Sequence, residues 1–178
     1  MERWRWYEQP ASPWGFFNGK RSPQVTNEDD FYRVYRDMID GARSDPTVLE
    51  LWLDESTTAL VADSQFVRVG IRIRATDSVV DRMESLTLVT VLVEDSIPYE
   101  SQLHQGDTAH ARMVVRSLVA DTWGIPISLR FGSDFDTTLE VTLGEWQQDK
   151  LSVVVFVQDT ASADKEVLQA VTKRRFDN

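Results

Sequence analysis

Leu86 to Val93 (Leu-Thr-Leu-Val-Thr-Val-Leu-Val) is apolar at nearly every position. A strand sends successive side chains to opposite faces, so a run with no polar face has to be covered on both. The stretch therefore predicts a central strand. Around it the hydrophobic period is two. In Phe66 to Arg74, Val67, Val69, Ile71 and Ile73 alternate with Arg68, Arg72 and Arg74, the pattern of a half-buried strand with a basic outer face. Leu139 to Leu143 alternates with Glu140 and Thr142, and Leu151 to Val157 is a second apolar, β-branched run. Val48 to Asp54 and Thr57 to Ala62 read as an antiparallel neighbour pair turning at Asp54-Glu55, with Asp63-Ser64 as the next turn. Pro126 restricts Ile127 to Phe131 to the start or edge of a sheet.

Helical spacing is found in three places. Asn27 can cap a helix whose first turn carries Glu28, Asp29 and Asp30. Phe31, Val34, Tyr35, Met38, Ile39 and Ala42 then form one apolar stripe before Gly41 and Asp45-Pro46 end it. Asp107 or Thr108 can cap a second helix with Ala111, Val114, Val115 and Leu118 on its buried side and Trp123-Gly124 beyond its end. A third, short helix is expected from about Ala163, carrying Val167, Leu168 and Val171. The period changes at Thr47, which predicts two units, residues 1–46 and 47–178. Seven or so strands with one inserted helix predict a mostly β fold of the α+β class, an immunoglobulin-like β-sandwich over 47–178.

Residues 1–26 differ from the rest. Trp4, Trp6, Trp14 and the Pro10, Pro13, Pro23 series mark irregular chain around one hairpin, Trp14-Gly15-Phe16-Phe17 turning at Asn18-Gly19 and returning over Lys20 to Val25. Aromatic and arginine side chains dominate binding hot spots, so Trp4, Trp6, Tyr7, Trp14, Phe16 and Phe17 beside Arg3 and Arg5 form a candidate binding surface. The same aromatics could instead pack on the Phe31 stripe and close a small core.

Composition narrows the function classes. The 178 residues carry 19 Lys and Arg against 29 Asp and Glu, a net charge of -10, which argues against a nucleic-acid backbone or an anionic membrane surface as partner. With no cysteine there is no disulfide, thiolate metal site or CxxC redox motif. No segment approaches the roughly 20 apolar residues of a membrane span. Met1 to Trp6 lacks the apolar stretch of a secretory signal, so an exported parent would carry its signal outside this chain.

Few residues offer chemistry. His104 and His110 are the two histidines, too few for a zinc site without carboxylates. His110, expected in the first turn of the second helix, has no serine or cysteine elbow to serve as a base. Glu94-Asp95, with Glu100 nearby, are the best paired carboxylates, and such pairs at strand ends are commonly turn and capping residues. Asp134 and Asp136 in Gly132-Ser133-Asp134-Phe135-Asp136 suggest an oxygen-ligand loop without the spacing or closing Glu of an EF-hand. Lys173-Arg174-Arg175 reads as a solvated basic tail. No Walker A, GxGxxG, GxSxG or HExxH pattern occurs. The expectation is a non-enzymatic chain with no cofactor and no metal. The competing metal-hydrolase reading would use Glu94, Asp95 and His110.

Two stretches resemble known proteins. Pro13-Trp14-Gly15-Phe16-Phe17-Asn18-Gly19 followed by a helix resembles the second half of a thioredoxin fold: the cis-proline loop, a hairpin and the terminal helix. Leu92-Val93-Glu94-Asp95-Ser96-Ile97, His110 to Arg116 before Trp123-Gly124, and Val155 to Asp159 leading to Glu166 to Ala170 are similar to the Omp28-like envelope proteins. The resemblance implies a thioredoxin-like segment over 1–46 before the sandwich, with Pro13 at the cis-proline position, and a place in the periplasm or at the outer membrane. Together with the missing catalytic groups it leads to the expectation of a protein or peptide partner met by Trp4, Trp6, Pro13, Trp14, Phe16 and Phe17. It also implies an alternative, the accessory half of a thiol oxidoreductase whose CxxC half is not in this chain.

Overall fold

The computed structural model describes residues 16–17, 20–21, 28–60, 65–100, 108–120, 123–162, 165–174 and 176. Among them the chain is mostly β. Strands β1 (Phe16–Phe17) and β2 (Lys20–Arg21) pair as a hairpin, followed by helix α1 (Glu28–Ser44). Then come β3 (Leu49–Leu60), β4 (Phe66–Ala75), β5 (Leu86–Glu94), β6 (Ile97–Glu100), β7 (Thr108–Ala111), β8 (Val114–Val119), β9 (Ile125–Ile127), β10 (Asp134–Thr142), β11 (Leu151–Asp159) and β12 (Val167–Arg174). Short 3-10 turns cover Ser78–Arg82 and Gln148–Lys150.

Two antiparallel sheets face each other. One has the order β10-β4-β3, the other β12-β11-β5-β8, with β9 pairing β5 beyond the end of β8. As expected, β5 is central and buried at every position. Its inward residues Leu86, Leu88 and Leu92 join Val67, Val69, Ile71 and Ile73 of β4 and Val153, Val155 and Val157 of β11 in one core. Its outward residues Val89, Val91 and Val93 form a second cluster with Leu118, Val154 and Phe156. Strand β4 buries its alternate apolar side chains and sends Arg68, Arg72 and Arg74 outward, as its period required.

Helix α1 occupies the predicted span, with Val34, Tyr35, Met38 and Ala42 half-buried and Ile39 exposed. The Asn27 cap and the Phe31 side chain lie outside the described residues. Five expectations are corrected. The inserted helix is absent: Thr108–Ala111 and Val114–Val119 are β7 and β8, and Asp107 lies outside the described residues. In the β5–β8 register Leu92 faces Ser117 and Val93 faces Val115, so Arg116 is an extra residue in a β-bulge. A bulge shifts the alternation by one, which puts Val115 and Leu118, three apart, on the same face and imitates helical spacing.

The short helix after Ala163 is likewise β12. Val157 faces Gln169 and Gln158 faces Val167, leaving Leu168 as the bulge, so Leu168 and Val171 both reach the core. The supposed pair Val48–Asp54 and Thr57–Ala62 is one edge strand, β3, both halves of which pair β4. Asp54 faces Gly70 and Ala59 faces Arg68, so Glu55 to Thr58 bulge out. Finally, Asp134 and Asp136 lie within β10, which starts earlier than Leu139, and β9 ends where Ile127 was expected to begin a strand.

Gly124, at φ +83°, packs over β5: a Cβ there would sit 2.6 Å from the Leu88 carbonyl oxygen and 2.7 Å from Thr87 Cγ2. Gly132, at φ +73°, has open space around it. Gly124→Ala is expected to cost about 2–4 kcal/mol, from the positive φ together with the clash. Gly132→Ala should cost only the conformational part, about 1–2 kcal/mol. Urea unfolding of both variants checks this, and equal losses would deny the close approach at Gly124.

Candidate binding surfaces

Trp4, Trp6, Pro13 and Trp14 lie outside the described residues, as do Tyr7 and His104. Phe16 and Phe17 form β1, paired with Arg21 and Lys20, while Asn18 and Gly19 lie outside the described residues. Of the aromatic surface the structure therefore describes only the backbone of Phe16 and Phe17.

The paired carboxylates sit at an elbow. Strands β5 and β8 form one ribbon that continues as β6 and β7, and both strands turn at the same level, at Ser96 (φ 57°) and Met113 (φ 51°). Glu94 is almost fully buried there. Its Oε2 accepts from Arg116 Nε at 2.7 Å and its Oε1 from the Gln147 backbone N–H at 3.1 Å. Asp95 Oδ1 accepts from Arg112 Nε at 2.5 Å and from the Ser96 N–H at 2.9 Å, and the Asp95 N–H donates to the Lys150 carbonyl at 3.0 Å. The Arg112 hydrogen bond holds the Asp95 carboxyl below its usual range. These groups fasten the elbow. His110 stands on β7 opposite Pro98, exposed and not in a helix, and among the described residues no three His, Asp or Glu side chains assemble as a metal set. The hydrolase grouping of Glu94, Asp95 and His110 is thus not formed, because each carboxylate is turned to its own arginine. Of Glu100 only the backbone, in β6, is described.

Asp134 and Asp136 are not a cation loop either. Asp134 Oδ1 accepts from Arg74 Nε at 2.7 Å, Asp136 Oδ1 from Arg72 Nε at 2.5 Å, and Glu140 Oε1 from Arg68 Nη2 at 2.8 Å. They are direct cross-strand neighbours on the exposed face of β4 and β10. The alternation of β4 had shown the arginines, and the acidic partners lay two residues apart on a strand whose start was missed. Lys173 is no free tail residue: its Nζ donates to the Thr58 carbonyl at 2.9 Å, tying β12 to β3. Arg175 lies outside the described residues.

Sequence reasoning missed a groove. The last turns of α1, the segment Asp45 to Val48, the 3-10 turn and the start of β12 enclose about 760 Å³. Ile39, Ala42, Val48, Val79, Met83 and Leu168 give it an apolar wall, and Arg43, Asp45 and Glu166 stand among its lining residues. Strand β12 ends its sheet, so no further strand pairs its outer edge among the described residues. Side chains bridge part of that edge instead, Gln169 Nε2 reaching the Leu49 carbonyl at 3.4 Å. The sequence held no separate signal for it: Ile39 belongs to the apolar stripe of α1, and only the structure shows it 44% exposed.

This two-sheet arrangement is found in a solved structure. HBP35 of Porphyromonas gingivalis superposes with a TM-score of 0.65 at 15% identity, over 79% of this chain and 45% of that one. The chain shares its fold with HBP35. It spans under half of HBP35's length, and at this identity the likeness is one of fold alone. A domain of the outer membrane lipoprotein Omp28 from Porphyromonas gingivalis also matches, at 16% identity over 72% of this chain and 95% of that one, with a TM-score of 0.49. The relative expected from the sequence is thus among the matching structures. No family model and no curated protein matches the chain.

The depressed Asp95 carboxyl makes the elbow pH-dependent. A group whose folded pKa lies below its unfolded value, about 3.9, adds stability that is complete above that value and disappears as pH falls through the folded one. Arg112→Ala is expected to destabilise the chain at pH 7, with the gap to the parent closing as the pH is taken below about 4. Urea midpoints measured from pH 7 to 3 check it, and a constant gap would show that Arg112 acts by packing alone.

Proposed function

We propose that the chain is a non-enzymatic protein- or peptide-interaction module of a bacterial cell-envelope protein. The observation that carries the proposal is the apolar groove between α1 and β12, beside a strand whose outer edge pairs no further strand among the described residues and is only partly bridged by side chains to β3. An extended segment adding to such an edge gains backbone hydrogen bonds, while an adjoining apolar groove takes alternate side chains. The non-enzymatic part is supported by the arginine pairing of Glu94, Asp95, Asp134 and Asp136, the carboxylates the sequence offered for chemistry. The envelope part rests on the similarity of Leu92 to Ile97, His110 to Arg116 and Glu166 to Ala170 to the Omp28-like proteins, beside the fold shared with HBP35.

In this reading residues 1–46 are a partial thioredoxin-like segment, with Pro13 at the cis-proline position, and 47–178 an immunoglobulin-like sandwich. The aromatic hairpin, with Trp14, Phe16 and Phe17, is the second contact. A hairpin and a helix in that order are what the first half of the assignment requires, and both occur.

Selection of displayed random dodecapeptides on the full chain tests the proposal. Peptides with alternating apolar positions are expected to be enriched. Their affinity should fall about tenfold in Ile39→Asp, whose side chain is exposed at the groove, and several-fold in the double variant Trp14→Ala, Phe16→Ala, with the far-UV circular dichroism unchanged. Enrichment of no peptide, or affinity indifferent to both variants, would overturn it.

A further inference from the structure

The outer face of the β10-β4-β3 sheet carries no apolar stripe, and its side chains stand in rows set by the register. One row is Glu50, Arg74 and Asp134, the next Trp52, Arg72 and Asp136, the next Asp54, Gly70 and Thr138. Strand β3 sends Leu49, Leu51 and Leu53 to the core, which leaves Trp52 on the outer face, half-buried and outside both apolar clusters. Next to it the β3 bulge opens a cleft of about 380 Å³ lined by Asp54, Thr57, Gly70, Arg72, Asp136 and Thr138. That volume is at the small end of ordinary ligand pockets, about 300–1,000 Å³.

The cleft is held in shape by the chain's own bonds. Thr58 Oγ1 accepts from the Gly70 N–H at 3.1 Å and donates to the Gly70 carbonyl at 3.2 Å, pinning the bulge to β4. Asp54 Oδ1 accepts from the Ser56 hydroxyl at 2.6 Å and its N–H at 3.0 Å. A Cβ on Gly70 would meet Thr57 Oγ1 at 1.7 Å, so the threonine fills the space that only a glycine leaves. The side chains on the rim are about half exposed, Arg72 at 47% and Asp136 at 57%.

Such a surface selects by chemistry. Guanidinium donors and carboxylate acceptors lie side by side as fixed pairs, so a ligand group that both donates and accepts can bridge them without displacing either. Vicinal hydroxyls do this. A phosphate or carboxylate ligand would meet Asp54, Asp134 and Asp136 with no unpaired arginine among Arg68, Arg72 and Arg74 to offset them. A divalent cation would have to break the Arg72–Asp136 pair. Trp52 adds a flat apolar face beside the paired charges, suited to the C–H face of a sugar ring.

We infer that this face is a binding site for a neutral saccharide: a pyranose ring lies against Trp52, and its hydroxyls bridge Arg72 and Asp136 at the mouth of the Asp54–Thr138 cleft. The site is separate from the α1–β12 groove, so its success or failure is independent of the peptide-binding reading.

Saturation-transfer NMR on the full chain with cellotriose, maltotriose and mannotriose, and with trigalacturonate as an anionic probe, tests the inference. Saturation transfer to at least one neutral trisaccharide is expected. It should drop at least fivefold in Trp52→Ala and in Thr138→Gln, whose longer side chain enters the cleft, and stay unchanged in Phe131→Ser, an exposed aromatic elsewhere. Both test positions face outward, and thermal unfolding identifies any variant that has lost the fold. Transfer to no neutral probe, stronger transfer to trigalacturonate, or transfer equal in the folded Trp52→Ala and Thr138→Gln variants would overturn it.

Discussion

The fold depends on β5 being buried on both faces. A nine-residue strand with no solvent-facing side cannot end a sheet or lie open, and here it takes β11 along one edge and β8 and β9 along the other. Its inner leucines meet β4 across the core and its outer valines meet Leu118 and Phe156, so a single strand belongs to both apolar clusters. Burial of this kind is worth about 25 cal/mol per Å² of apolar surface, and most of it is collected where β4, β5 and β11 pack together. The sheet edges and the β6–β7 arm are arranged around that centre.

With the centre fixed, departures from regular strand geometry shape the elbow and the candidate surfaces. The bulge at Arg116 brings its guanidinium onto Glu94 at the base of the elbow. The bulge at Leu168 lets the start of β12 contribute to both the core and the groove. The long bulge of β3 opens the cleft over Gly70 beside Trp52. Bulges bend and re-aim a strand at the cost of one or a few unpaired residues. In this chain each lies on a strand bordering the two candidate binding surfaces or the elbow.

The same bulges explain what could be read in the sequence and what could not. The central strand, the basic outer face of β4, helix α1 and the pairing of β1 with β2 were legible, since each depends on local period or turn chemistry. The helices expected around Ala111 to Leu118 and from Ala163 were misread, because a one-residue shift in pairing converts a period of two into a spacing of three. The split of β3 at Asp54-Glu55 failed for a related reason: turn-forming residues were used to widen an edge strand instead of reversing it. Asp134 and Asp136 looked like a loop because their arginine partners are about 60 residues away in sequence, at Arg74 and Arg72.

The sequence by itself determined a mostly β chain without thiol chemistry, and an acidic balance that disfavours polyanionic partners. It also determined which strand is central, because period and composition are local properties of the chain. Only the tertiary structure decided the pairing: which carboxylate meets which arginine, where α1 and β12 leave a groove, and that Trp52 lies in one row with Arg72 and Asp136. Those are consequences of register, and register is set by contacts between residues far apart in sequence.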